Sequence, residues 1–237
     1  MAEATRKLSQ ARDSNRRMVL LFGAYTTVSL ACLIQWNSPF MWSRINLFTA
    51  GFLMITGLRI LQLDRFYHQA LRSHNARREF SGIDYDPAAK QKTRLPIPLS
   101  AADMLILLDY GHWHLAPVLE NLVLQAIGLA IYVISFAALL WVDSHLMRYF
   151  STDRFNRKFV SEGPYRYARH PRYTTIITYR VAYALVFASI IGWVLVIVWG
   201  LNIMRRIRVE EAHMQDVFDD DYRQYQKQTA SLFPGVY

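Results

Sequence analysis

A single cysteine, Cys32, stands in this 237-residue chain, inside an apolar run. No intrachain disulfide and no thiolate metal cluster can form, and a small buried side chain in a membrane helix accounts for Cys32. Charge is also scarce. Only 19% of residues are charged, against roughly 25% in an average soluble domain. Acidic residues are in the minority, 18 against 27 lysines and arginines, for a net charge of +9. No internal repeat or low-complexity tract is visible. The polar lead "MAEATRKLSQARDSNRR" is not followed by a short apolar core with a small-residue cleavage site, so a cleavable signal peptide is not expected.

What the chain has in quantity is apolar sequence, 53% of residues, arranged in blocks. A membrane-crossing helix needs about 20 largely apolar residues. Residues 18–36, 42–63 and 117–142 meet that need, with Pro117 tolerated in a first helical turn. The basic residues cluster beside these runs, in 6–17, 65–94, 148–172 and 205–208. That is the pattern of cytoplasmic loops facing anionic lipid, and no soluble basic domain remains to bind nucleic acid. Residues 64–100 are a polar loop whose first part could extend the second helix, and 101–116 are too short and, after Leu108, too polar for a clean span, so they read as a re-entrant or interfacial segment.

The run 174–204 is too long for one pass: as one helix it would extend roughly 47 Å across a core of about 30 Å. Arginines flank both ends, which favours a hairpin broken near Ser189 to Gly192. Beyond it, Met214, Val217, Phe218, Tyr222 and Tyr225 recur at three and four residues, one face of an amphipathic helix over 205–228. The expectation is an all-α, polytopic transmembrane bundle of about five spans. An N-terminal region, 1–142, precedes a C-terminal core, 143–237. Five spans leave the side of the N-terminus open, because both termini are basic.

The hairpin predicts a meeting. Its open end brings "GPYRYARHPRY" (163–173) beside "RRIRVEE" (205–211). Histidine, tyrosine, arginine and glutamate then converge at a membrane edge. These two stretches, in this order, resemble the "GxYxxxRHPxY" and "RxxxEExxLxxxFGxxYxxY" elements of the isoprenylcysteine carboxyl methyltransferase family and its bacterial relatives. The resemblance covers about residues 157–237. It implies an integral membrane methyltransferase using S-adenosylmethionine, with the cofactor on the cytoplasmic side in the loop 157–173. It implies cofactor contacts from Lys158, Phe159, Val160, Tyr165, His170, Pro171, Arg172, Tyr173 and Glu210. It places Arg206 as the catalytic residue near the substrate, and implies a lipophilic or small-molecule methyl acceptor bearing a carboxyl, thiol or phospholipid amine. The sequence departs from the family pattern at three points: Thr174 and Thr175 follow Tyr173, Asp219 replaces the glycine after Phe218, and Arg172 puts a cation inside the His-Pro-x-Tyr element.

Physical chemistry is compatible with that set: rings stack on adenine and face a cation, arginine pairs a carboxylate, and glutamate pairs an ammonium. Two rivals stand beside it. One is a membrane reductase of the sterol type using NADPH, disfavoured by the order "HPRYTTI". The other is a non-catalytic membrane protein with a degenerate site. Arg180, inside the apolar run, is a candidate either for an anionic substrate group or for a buried carboxylate. No metal site is expected: the spacing of His112 and His114 does not suit a shared ion. Asp143 and His145 read as a cap and an interfacial histidine.

Overall fold

A computed structural model describes residues 20–35, 44–72, 99–151 and 159–233. The N-terminal basic cluster, most of the loop 64–100 and Lys158 lie outside the described residues. Within them the chain is helical, with one isolated bridge between Ala168 and Ala230 and no named strand. We label the helices α1 (Leu20–Leu33), α2 (Leu47–Arg72), α3 (Leu99–Leu108), α4 (Leu122–Ser151), α5 (Pro171–Val186) and α6 (Ile190–Gln228). Two of them, α4 over Leu122–Leu146 and α6, are long and apolar enough to cross a membrane.

The expected start of the third span is corrected. Pro117 does not open α4; Pro117–Leu119 forms a separate 3₁₀ turn. Asn121 supplies the start instead, its side chain accepting from the Val123 N–H at 2.7 Å, because asparagine satisfies an orphan donor that proline's ring cannot. From there α4 runs unbroken through residue 143 to Ser151. The segment read as interfacial is drawn into the bundle. Ala102, Ile106 and Leu107 of α3 are fully buried, and α3 continues as a π turn, Asp109–Trp113, closed by His114 in the left-handed region.

The long apolar run breaks where its small polar residues stand. α5 ends at Val186, Ala188 takes a positive φ of 44°, and Ser189 caps α6 by accepting from the Gly192 N–H at 3.1 Å. The tip is then tied down, since the Ser189 hydroxyl donates to the buried Asp109 carboxylate. In lipid there is little hydrophobic drive between helices, so close packing must hold them. Gly128 of α4 supplies it: a Cβ there would come within 2.8 Å of the Leu185 Cβ and 2.9 Å of the Val186 backbone nitrogen. At the centre, the Phe52 ring meets Tyr132 at 4.3 Å, Tyr183 at 4.9 Å and Phe187 at 5.5 Å.

Only part of the predicted amphipathic stripe on α6 is used. Phe218, Tyr222 and Tyr225 pack around Phe159, whereas Val217 stays exposed. Next to it the helix backbone is interrupted at Asp219, with φ 45° and ψ −121°. That conformation suits glycine, the residue which the family pattern carries here; an L side chain is strained in it. The Asp219–Arg223 pair, 3.5 Å apart and well exposed, offsets little of this strain. Asp219→Gly should therefore stabilise the fold by about 1 kcal/mol, a rise of roughly 2–4 °C in the unfolding midpoint. Thermal unfolding in detergent measures it, and a lower midpoint would refute the strain.

Candidate active site

The loop before α5 is shaped by its own sequence. Gly163 has φ 60°, and a Cβ there would lie 2.5 Å from the His145 ring, so only glycine fits. Pro164 stands in the 3₁₀ turn Gly163–Arg166 and Pro171 at the first turn of α5, positions where a missing N–H costs nothing. The C-terminal segment then straps the loop. The Arg169 and His170 N–H groups donate to the Ala230 and Ser231 carbonyls at 2.8 and 3.0 Å. The Arg169 guanidinium donates to the Gln226 and Thr229 carbonyls, the Tyr225 hydroxyl to the Tyr165 carbonyl, and the Thr174 hydroxyl to Leu232 at 2.6 Å.

With the loop held, the side chains of α5 and α6 converge on two adjacent glutamates. The Glu210 carboxylate accepts from the Tyr173 hydroxyl and from Arg206 Nε at 3.0 Å, and lies 3.5 Å from His170 Nδ1. Glu211 accepts from Arg169 Nε at 2.7 Å and faces His170 Nε2 at 3.1 Å. The His170 and Tyr173 rings stack 5.8 Å apart. Burial works against the charged imidazolium, but the hydrogen bonds to Glu210 and Glu211 outweigh it and raise the His170 pKa. Burial likewise opposes the Glu211 carboxylate, yet His170 and Arg169 hold its pKa down to about 2; Glu210 is lowered by His170, Tyr173 and Arg206 against the same burial.

Of the residues assigned by resemblance, His170, Tyr173, Arg206 and Glu210 come together. Phe159 lies by the aromatic face of α6, and Val160 beside it in the chain is buried. The Tyr165 backbone carbonyl accepts from Tyr225 on the aromatic face of α6. Arg172 turns the other way, its Nε 3.0 Å from the Asp143 carboxylate on α4, which is 4% exposed. Arg180 is 5% exposed and ion-paired with Asp103, with its guanidinium 3.9 Å from the Trp199 ring. His114 sits between Arg44 and Glu120 while His112 is exposed. Sequence reasoning missed Arg169 and Glu211 as members of this region, although both stand inside the quoted motifs; Asp143, read there as a cap, lies inside α4 and pairs with Arg172 instead. The strap 229–232 carried no signal at all.

Residues 119–221, from the turn before α4 into the last part of α6, match the model of the phospholipid methyltransferase family. By this match and by its two helices long and apolar enough to cross a membrane, the chain is similar to membrane methyltransferases. Among curated proteins, the protein-S-isoprenylcysteine O-methyltransferase of Schizosaccharomyces pombe is 30% identical over 79 residues, covering 32% of this chain and 33% of that protein. The match spans about a third of that relative, and the likeness to the isoprenylcysteine carboxyl methyltransferases read from the motifs holds there. No solved structure matches the chain.

Two outcomes follow from the geometry. Arg172→Met leaves the Asp143 carboxylate buried without its cation, a loss of about 3 kcal/mol; adding Asp143→Leu should restore most of it. A double-mutant cycle of unfolding free energies checks this, and additive losses would count against the pair. The second is pH-dependent. A raised His170 pKa contributes stability that is complete below the ordinary value of 6.5 and is lost as pH rises through the higher folded value. A lowered Glu211 pKa contributes stability complete above 4.5 and lost as pH falls towards about 2. The unfolding midpoint should decline as pH rises above 6.5 in the wild type and stay flatter in His170→Phe; parallel curves would exclude His170 as the cause.

Proposed function

We propose that the chain transfers a methyl group from S-adenosylmethionine to a lipophilic or small-molecule acceptor presented from the membrane. The observation that carries this reading is the meeting of His170, Tyr173, Arg206 and Glu210 at the open end of the hairpin. The donor set fits the cofactor. Glu210 and Glu211 suit its ammonium, Arg169 its carboxylate, and the stacked faces of His170 and Tyr173 its adenine or sulfonium. When bound, the cofactor supplies an electrophilic methyl carbon on a sulfonium. The protein's part is to position: the strapped loop and α6 fix the two sides of the site, which is where displacement reactions gain most. Arg206 is the least buried charge of the cluster, 43% exposed, and reaches outward to orient an anionic acceptor group such as a carboxylate or thiolate.

The reductase reading fits less well, on the order "HPRYTTI" in the loop and the first turn of α5. We read the chain as a multi-pass protein of about five spans, with Leu99–Trp113 dipping between them and the cofactor end facing the cytoplasm. The basic residues around Arg166, Arg169, Arg205 and Arg208 support that orientation. On this reading residues 1–142 are scaffold and 143–237 the methyltransferase core. Titration calorimetry on the purified protein tests the proposal. S-adenosylhomocysteine should bind and NADPH should not, and Glu210→Gln should weaken S-adenosylhomocysteine by about tenfold or more, on the order of 1.4 kcal/mol. Binding of NADPH alone, or unchanged affinity in the variant, would refute it.

A further inference from the structure

A second polar site lies at the opposite end of the bundle. The residues that gather there come from five segments that meet only in the folded chain. Gln35 follows α1, Arg44 and Asn46 precede α2, Tyr110 stands in the π turn after α3, Glu120 lies in the link, and Gln125 stands in the first turn of α4. Together they line an open cavity of about 510 Å³. The walls are built. Gln125 is buried, donates to the Val186 carbonyl at 2.9 Å, and accepts from the Asn46 side-chain amide at 2.7 Å. Asn46 in turn caps α2, its Oδ1 accepting from the Phe48 and Thr49 N–H groups, both at 3.0 Å. Gln35 donates to the Gly111 carbonyl at 3.3 Å.

Position separates this cavity from the proposed methyl-transfer site. Gln125 bonds to the last residue of α5, while the cofactor loop joins the first, and fifteen residues of helix span roughly 22 Å. The two sites stand at opposite ends of α5, so the cavity is not a lobe of the active site.

Charge and surroundings point to its ligand. Among the described lining residues the charged groups are Arg44 and Glu120. They pair with one another, His114 lies beside both, and they are 23% and 29% exposed. The Arg44 guanidinium lies 5.6 Å from the Tyr110 ring centre, and the rest of the polar lining is neutral amide and hydroxyl. A wall of one cation, one anion and neutral amides repels neither half of a zwitterion, whereas it gives a simple anion or cation one attractive and one repulsive contact. The surface beside it is apolar. Trp113, Leu115, Val118, Leu122 and Val123 are all exposed, Val118 to 90%. Leu122 itself lines the cavity. An exposed apolar lip next to a polar cavity, at the end of a membrane bundle, suits a molecule whose head is charged and whose tail is hydrocarbon.

We propose that this cavity binds the head group of a zwitterionic membrane lipid, its phosphate towards Arg44 and its ammonium towards Glu120 and the face of Tyr110, with the acyl chains along the Leu115–Val123 lip. The lipid would clamp the links before α2 and α4 at the hairpin tip. This proposal is independent of the methyl-transfer reading, since it concerns the other end of the molecule.

Native mass spectrometry on the purified full chain, delipidated and then titrated with defined lipids, tests it. Phosphatidylcholine should bind as one retained copy, about tenfold tighter than phosphatidylglycerol. Arg44→Gln and Glu120→Gln should each lower that retention by about tenfold. Soluble glycerophosphocholine, which has the head without the tails, should bind far more weakly than the lipid. Equal retention of phosphatidylglycerol would overturn the zwitterion, and equal affinity for glycerophosphocholine would overturn the lipid. Should the variants lose helicity, the wild-type competition between the two lipids decides alone. An unaltered thermal midpoint on adding phosphatidylcholine, with no retained copy, would overturn the site itself.

Discussion

One carboxylate, Glu210, holds the open end of the hairpin together. Tyr173 donates to it from α5, Arg206 from its own helix, and His170 approaches from the loop. Each of these groups would be an expensive solitary polar side chain at a membrane edge. Around one anion they satisfy each other, and Glu211 does the same for Arg169 and the other face of His170. The carboxylates can sit side by side without repelling strongly because two arginines and a histidine surround them. The position of α5 against α6, the order of the loop and the docking of the C-terminal strap all depend on this arrangement.

The arrangement is costly unless the remaining cations are dealt with elsewhere. Arg172 is turned away from the cluster by Asp143, and Arg180 is neutralised by Asp103 and flanked by the Trp199 and Tyr179 rings. Buried pairs of this kind add little net stability, but removing one partner leaves a buried charge. Their effect is to specify where α3 and α4 sit against α5. The cation that the family pattern does not explain, Arg172, is therefore accounted for by packing: it is the link between α5 and α4.

Much of this was legible in the order of residues, and the reasons are local. Charge next to apolar runs marks membrane edges, and a 31-residue apolar stretch flanked by arginines must turn back, so the hairpin and the meeting of "RHPRY" with "RVEE" could be anticipated. The start of α4 was misread because Pro117 and Asn121 are both good opening residues, and only the 3₁₀ turn between them decided which one acts. The 101–116 segment reads as interfacial because its polar half begins at Asp109; the bond from Ser189, eighty residues away, satisfies that carboxylate in the interior. Among the site residues, His170, Tyr173, Arg206 and Glu210 carry motif spacing, whereas Asp143 and the strap 229–232 act through contacts with no sequence periodicity.

The sequence by itself determined that the chain is helical, membrane-bound and built to bring two motifs to one end of a hairpin, because hydrophobic length, flanking charge and helix period are properties of neighbouring residues. Only the tertiary structure decided which carboxylate each cation meets. It also decided which helix reaches the core and what gathers at the far end of the bundle. Those outcomes depend on distances between segments far apart in the chain, and a linear pattern does not record them.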